Sequence, residues 1–146
     1  MLKKLAIRGV NDDSDQQLAG QFPGWLEMQM RELVNHRVNG VNDGIKVTVL
    51  DEPGQGNACH QYQAEFGTER HIVSFQNGPI KEVGTNGLTH EVLLAIVEDR
   101  LLGFQSGPYS CRENAVALTK IQEAMMWLKK RTSDRLLRGV EGTHTV

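Results

Sequence analysis

Residues 110–139, SCRENAVALTKIQEAMMWLKKRTSDRLLRG, hold the longest regular pattern in the chain. Ser110-Cys111-Arg112-Glu113 reads as a capping box. A serine at the cap and a glutamate three residues on can satisfy two free backbone donors at a helix start. Leu118, Ile121, Met125, Leu128 and Thr132 then recur every three or four residues, nearly a coiled-coil seam. Gly139 ends the run. The pattern predicts one helix over about 111–137, roughly 40 Å long at 1.5 Å per residue. Upstream, Leu93, Leu94, Ile96, Val97, Leu101 and Phe104 form an apolar stripe over about 89–105, with Thr89 as cap and Glu91 in the first turn. Ser106-Gly107-Pro108 separates the two helices. The expectation is a helical hairpin over about 88–138 whose second helix outruns the first. The overlong helix needs further company to bury its seam.

Before the hairpin the period changes from 3.6 to 2. Ile45-Lys46-Val47-Thr48-Val49, His60 to Phe66 and His71 to Phe75 each alternate apolar and polar residues and are separated by turn-rich stretches. Three such runs with short connections predict an antiparallel meander, a sheet over about 45–76. Asn77-Gly78-Pro79-Ile80 and Val83 to Gly87 are expected to break regular structure. The fold class is thus α+β: a small antiparallel sheet followed by a long helical hairpin that serves for oligomerisation. Residues 1–44 read as an N-terminal extension, irregular over 9–24 and carrying a helix at about 25–38 on Trp25, Met28 and Leu33. Residues 45–146 form the main domain, and its last residues, from Gly139, are expected to be mobile.

A chain of 146 residues, 39% apolar and 23% charged, suits one globular domain. No apolar run reaches membrane-spanning or signal-peptide length. Two cysteines, Cys59 and Cys111, are too few for a disulfide framework or a four-cysteine zinc site, so a reducing cytoplasm is expected. The net charge of −2 argues against general nucleic-acid binding, and no DNA or membrane partner is expected. The charge is nevertheless uneven. Residues 1–75 hold 7 basic and 10 acidic side chains, residues 76–111 hold 2 and 4, and residues 112–146 hold 7 and 4. A local basic patch on a mildly acidic protein suits a small anionic ligand.

Catalytic signatures are sparse. There is no phosphate-binding loop, and Gly54-x-Gly56 lacks both the third glycine and the following helix of a dinucleotide site. Asp13-Ser14-Asp15 begins like a calcium loop but lacks the later ligands and the glycine, so it reads as a solvated turn. His36, His60, His71, His90 and His144 show no metal-ligand spacing, and structural roles suit them better. Cys59 and His60 are adjacent in an extended run and would point to opposite faces. Cys111 near a helix start could be an activated thiol, though packing is the commoner role. No catalytic residue, metal or cofactor is therefore expected. The one constellation with chemical promise is Trp127, Arg131, Arg135 and Arg138, at i, i+4, i+8 and i+11 on one helix face. Arginine forks fit phosphate bidentately. The same stripe also fits a solvated basic face that complements the helix C-terminus.

Several blocks carry a resemblance. They are Ser74 to Glu82, Asn86-Gly87-Leu88, Arg100 to Pro108, Cys111-Arg112-Glu113-Asn114, Ala117 to Lys120, Trp127-Leu128, Arg131-Thr132 and Arg138 to Thr143. In these the chain resembles the phage-encoded first family of Thoeris anti-defence proteins, which shares its helical hairpin with an anti-CBASS sponge. The resemblance covers about half the chain and leaves residues 1–44 unmatched. It implies a sponge and no enzyme, acting in the cytoplasm of the infected bacterial host. Such proteins bind glycocyclic ADP-ribose, the signal made by the TIR protein, and hold it intact. Members form homodimers or homohexamers, and some also take cyclic di- or trinucleotides at separate sites. Carried onto this sequence, the resemblance implies four ligand-binding residues. Phe104 stacks on adenine, Asn114 hydrogen-bonds base or ribose, and Arg131 and Arg135 take the pyrophosphate. The alternative class is a hydrolase that degrades a cyclic nucleotide signal. Asn114 and Arg131 are 17 residues apart on one predicted helix, roughly 25 Å. One small nucleotide cannot touch both within a protomer, so two antiparallel copies are expected to share each site.

Overall fold

The computed structural model describes residues 30–145. The elements are β1 (Arg31–Leu33), β2 (Ile45–Val49), β3 (Gln61–Phe66), β4 (Glu69–Ser74), α1 (Ile80–Val83), α2 (His90–Gln105) and α3 (Arg112–Leu137). The strands form an antiparallel sheet in the order β1-β2-β3-β4. The expected meander is present, with one strand more than expected. The β3–β4 turn closes on two residues, since Phe66 pairs with Glu69. Gly67 takes its first position at φ 56, a conformation that glycine adopts without steric cost.

The additional strand corrects the expectation of a helix at 25–38. Residues 25–29 and the irregular stretch 9–24 lie outside the described residues. From residue 31 the chain forms a strand and then turns. Arg31 pairs with Val49 and Leu33 with Val47. The following turn is held by Asn42: Val38 N–H donates to Asn42 Oδ1 at 3.0 Å, and Asn42 Nδ2 donates to His36 O at 2.6 Å. His36 Nε2 donates to Ile45 O at 2.9 Å. Val34, Asn35, His36, Val38 and Asn39 are weak helix formers. The side-chain bonds offered by Asn42 favour the turn over a helix. The sheet therefore draws a strand from the segment read as an extension.

Asp51 ties the loop after β2 to the start of β3. Its carboxylate accepts from His60 N–H at 2.8 Å and Gln61 N–H at 3.0 Å. Desolvation pushes this carboxyl up. The backbone donors of Gln61 and His60 and the charge of His60 outweigh it and hold Asp51 below its usual value. Thr48 and Val49 are both buried, so the polar face of β2 is covered at that end rather than solvated.

The junction between sheet and hairpin is built from the Phe75–Leu88 segment. Leu88 N–H donates to Ser74 O and Gln76 N–H to Leu88 O, both at 2.8 Å, extending the sheet by a parallel bridge. Asn86 clamps the connection: its Nδ2 donates to Asn77 O at 2.7 Å and its Oδ1 accepts from Asn77 N–H at 2.8 Å. Between these clamps the chain forms the single-turn α1, where no regular structure was expected. Phe75 stands edge-on to Tyr62, with centroids 5.5 Å apart, and 5.3 Å from His90 at the start of α2.

Both hairpin helices lie where their apolar spacing places them. Thr89 occupies the cap position of α2 without a side-chain cap bond. The cap of α3 is Cys111 and not Ser110: Cys111 has the extended cap backbone, and its Sγ accepts from Asn114 N–H at 3.4 Å. Gln122 Nε2 donates to Glu98 Oε1 at 3.1 Å, which sets the register of the two helices. Counting antiparallel from that pair puts His90 opposite Lys130. Residues 131–137 therefore run past the start of α2, roughly 10 Å of helix.

Gly87 is required at its position. A Cβ there would lie 2.3 Å from Phe75 C and 2.4 Å from Phe75 O. Gly87→Ala should therefore displace the Phe75–Leu88 bridge. We expect a loss of about 1–3 kcal/mol, read as a lower midpoint in thermal or denaturant unfolding.

Candidate functional site

The four residues singled out in the sequence divide into two pairs at opposite ends of the hairpin. Phe104 is the penultimate residue of α2 and Asn114 lies in the first turn of α3. The connection brings both to the loop end. Cys111 N–H donates to Gln105 Oε1 at 3.1 Å, holding the two helix termini together. Phe104 and Asn114 are half-buried. The Arg100 guanidinium lies 4.9 Å above the centre of the Phe104 ring. This cation–π contact joins residues four apart on one helix face, and the sequence reading did not use it.

Arg131 and Arg135 sit on the overhang of α3. They share a face, one turn apart, yet their surroundings differ. Arg131 is exposed and makes no hydrogen bond or ion pair among the described residues. Arg135 is turned into the chain terminus, with its side chain only 12% exposed. Its Nε donates to Glu141 Oε2 at 2.7 Å. Nη1 donates to Thr145 O at 2.8 Å, and Nη2 to Val140 O at 3.0 Å and Thr143 O at 2.9 Å. Four of the five guanidinium donors are occupied. A solvated basic stripe describes Arg131, whereas Arg135 is an internal clamp. Trp127, further back on the stripe, is 59% exposed.

The terminal residues form a strap. Gly139, at φ 71, turns the chain out of α3 in a Schellman arrangement: Val140 N–H donates to Arg135 O at 3.0 Å and Gly139 N–H to Leu136 O at 2.9 Å. The strap then reaches α1, where Lys81 N–H donates to Gly142 O at 3.3 Å and His144 Nδ1 lies 3.5 Å from Glu82 Oε2. This corrects the expectation of a mobile end from Gly139. The signal missed was Arg135 followed by glycine at 139 and a carboxylate at 141. A reversing glycine lets a carboxylate just beyond it fold back onto the helix end.

The histidines each have a place in the fold. His71 stacks on Phe66 with centroids 5.1 Å apart, and His60 Nδ1 lies 3.7 Å from Asp51. His36, His90 and His144 make the contacts given above. Among the described residues no group of three His, Cys, Asp or Glu side chains could hold a metal ion. No described helix is long and apolar enough to cross a membrane. Apolar side chains remain open along the hairpin. Met125 is buried, but Ile96 is 62% exposed and Leu137 on the overhang 87%.

Comparison with known proteins adds two findings. Residues 69–133 match a family model described as the Acb2/Tad1 hairpin domain. Over 89 residues the chain is 49% identical to Thoeris anti-defense 1 of Bacillus phage SBSphiJ7. That stretch is 61% of this chain and 63% of the relative, so under two thirds of the relative's length is spanned. The family match includes Phe104, Asn114 and Arg131. It stops before Arg135 and the strap.

The two arginines should separate on substitution. Arg135→Ala removes charge-assisted bonds from a shielded site, and we expect it to cost about 1–3 kcal/mol and free the strap to proteolysis. Arg131→Ala should stay within about 0.5 kcal/mol of the parent. Denaturant titration of both variants checks this.

Proposed function

We propose that this protein, whose residues 69–133 match the Acb2/Tad1 hairpin domain model, is a Thoeris anti-defence sponge that captures glycocyclic ADP-ribose without degrading it. The reading rests on the likeness to the anti-defence relative and on one feature of the hairpin. Its aromatic–amide pair and its free cation lie at opposite ends of α3, with exposed apolar side chains between. Asn114 and Arg131 are about 25 Å apart along a continuous helix.

A second copy packed antiparallel resolves this separation. The hairpin's open apolar face covers itself in such a pair, and each overhang arrives at the partner's loop end. Two equivalent sites result, each with Phe104 and Asn114 from one copy and the arginine end from the other. Phe104 stacks on the base and Asn114 bonds to base or ribose. Arg131 offers its fork to the pyrophosphate, and Arg135 adds its positive charge one turn away. Such a cage supplies binding energy without a positioned nucleophile. Rigid assembly limits the entropy lost on capture. Homodimers or higher homo-oligomers, with further sites for cyclic oligonucleotides, follow from the same reading.

Mass spectrometry of small molecules released by heat tests it directly. Protein purified beside an active TIR enzyme should return intact cyclic ADP-ribose on denaturation. Recovery of cleaved products would identify a hydrolase, and recovery of no nucleotide would remove the sponge reading. Charged substitutions at Ile96 and Trp127 that yield a folded monomer should abolish capture. A monomer that still retains the nucleotide would rule out the shared site.

A further inference from the structure

The free edge of the sheet lies on β4, and the register fixes which backbone groups it presents. Phe75 N–H donates to His60 O at 2.7 Å, so Phe75, Val73, His71 and Glu69 turn their N–H and C=O toward β3. Arg70, Ile72 and Ser74 turn theirs outward. The Ser74 carbonyl is in use, since it accepts from Leu88 N–H. The N–H and C=O of Arg70 and Ile72 have no partner among the described residues. Natural proteins usually guard such an edge with a charge, a proline or a bulge. The charge here is Arg70, and its Nε is drawn back over the sheet to Glu65 Oε1 at 2.9 Å. Ile72 beside it is 55% exposed.

We propose that this edge pairs with the same edge of a second copy, antiparallel about a two-fold axis at His71. The inference rests on the hairpin pairing of the capture reading and adds a second interface to it. Charge and occupancy choose the register, because outward residues must face outward residues. Arg70 opposite the partner's Arg70 would set like charges face to face. Ile72 opposite the partner's Ile72 would set Arg70 against a Ser74 carbonyl that Leu88 already holds. Arg70 opposite the partner's Ile72 has neither fault, and the two strands then satisfy each other's free groups at both positions. On the other face of the strand, Glu69 comes diagonally across from the partner's His71, within reach of its imidazole. His71 is stacked on Phe66, with centroids 5.1 Å apart, which draws its ring toward β3 and away from the axis. An edge contact this short is small beside a stable interface of about 1,200–2,000 Å². It therefore acts between hairpin pairs, each of which carries two such edges and can engage both at once. Two different two-fold interfaces, used in alternation, carry assembly beyond two chains.

Hydrogen exchange and light scattering on the full chain test this. The Ile72 N–H should exchange at least about tenfold more slowly in the unmodified protein than in a monomer made by charged substitutions at Ile96 and Trp127. The unmodified protein should contain more than two chains. Ile72→Pro deletes the outward donor and breaks no bond within the chain, because edge positions of this kind tolerate proline. It should fall to a two-chain assembly that still captures cyclic ADP-ribose. Ile72→Thr keeps the donor and removes the apolar side chain, and its larger assembly should persist. A two-chain unmodified protein with fast exchange at Ile72 would overturn the proposal. So would a larger assembly that survives Ile72→Pro, or one that Ile72→Thr dissolves equally well, since the contact would then belong to the side chain. If circular dichroism shows that Ile72→Pro does not fold, Ile72→Lys decides: it sets a second cation against the partner's Arg70, and a folded variant that keeps the larger assembly refutes the edge contact. An unmodified protein that is a monomer would instead defeat the hairpin pairing itself.

Discussion

The last seven residues of α3 have no α2 residue opposite them. The Gln122–Glu98 pair fixes the register, and a helix of 26 residues against one of 16 must overrun. Much else follows from that mismatch. An isolated overhang would expose its backbone ends and both faces to water, and helices gain most of their stability from packing. The chain answers on one side only. The strap folds back after Gly139 and satisfies the overhang through Arg135, while Leu136 and Leu137 stay open. Ile96 on α2 and Trp127 on α3 are likewise exposed.

The overhang also explains why two arginines one turn apart are not equivalent. Arg135 meets the returning chain, so its donors go to carbonyls and to Glu141. Arg131 sits where the overhang begins and makes no hydrogen bond or ion pair among the described residues. Position relative to α2 sets this difference, since residue type and helix face are the same. At the other end the hairpin loop brings α2 and α3 to their closest termini. There Arg100 lies over the Phe104 ring at the end of α2, and Cys111 caps α3 through the Asn114 N–H. A hairpin of unequal helices thus keeps an aromatic end and a cationic end apart within one chain.

The sheet and its junction act as the base for this arrangement. Tyr62, Phe75 and His90 form an aromatic bridge from β3 to α2, and the Asn77–Asn86 clamp holds the connection. α1 hangs from the same connection and receives the strap. The C-terminal strap is therefore tied to the sheet as well as to α3, and the position of the overhang is transmitted to the rest of the domain through it.

Local pattern in the chain was enough to place the two hairpin helices, the three main strands and the antiparallel class. Period and capping are properties of neighbouring residues, and Leu118 to Leu128 or Ile45 to Val49 carry them openly. The overlong second helix was legible for the same reason. β1 was not, because a three-residue strand exists only through its pairing with Val47 to Val49, and nothing local distinguishes it from a weak helix. Cys111 displaced Ser110 as the cap because cap identity depends on which residue the turn leaves extended. The basic stripe was visible as four residues on one face. Its division into a free Arg131 and a clasped Arg135 was invisible, because the carbonyls that clasp Arg135 reach it only after the chain reverses at Gly139. Spacing along a chain reports which residues share a face. Only folded chain ends can report which of them still have donors to give.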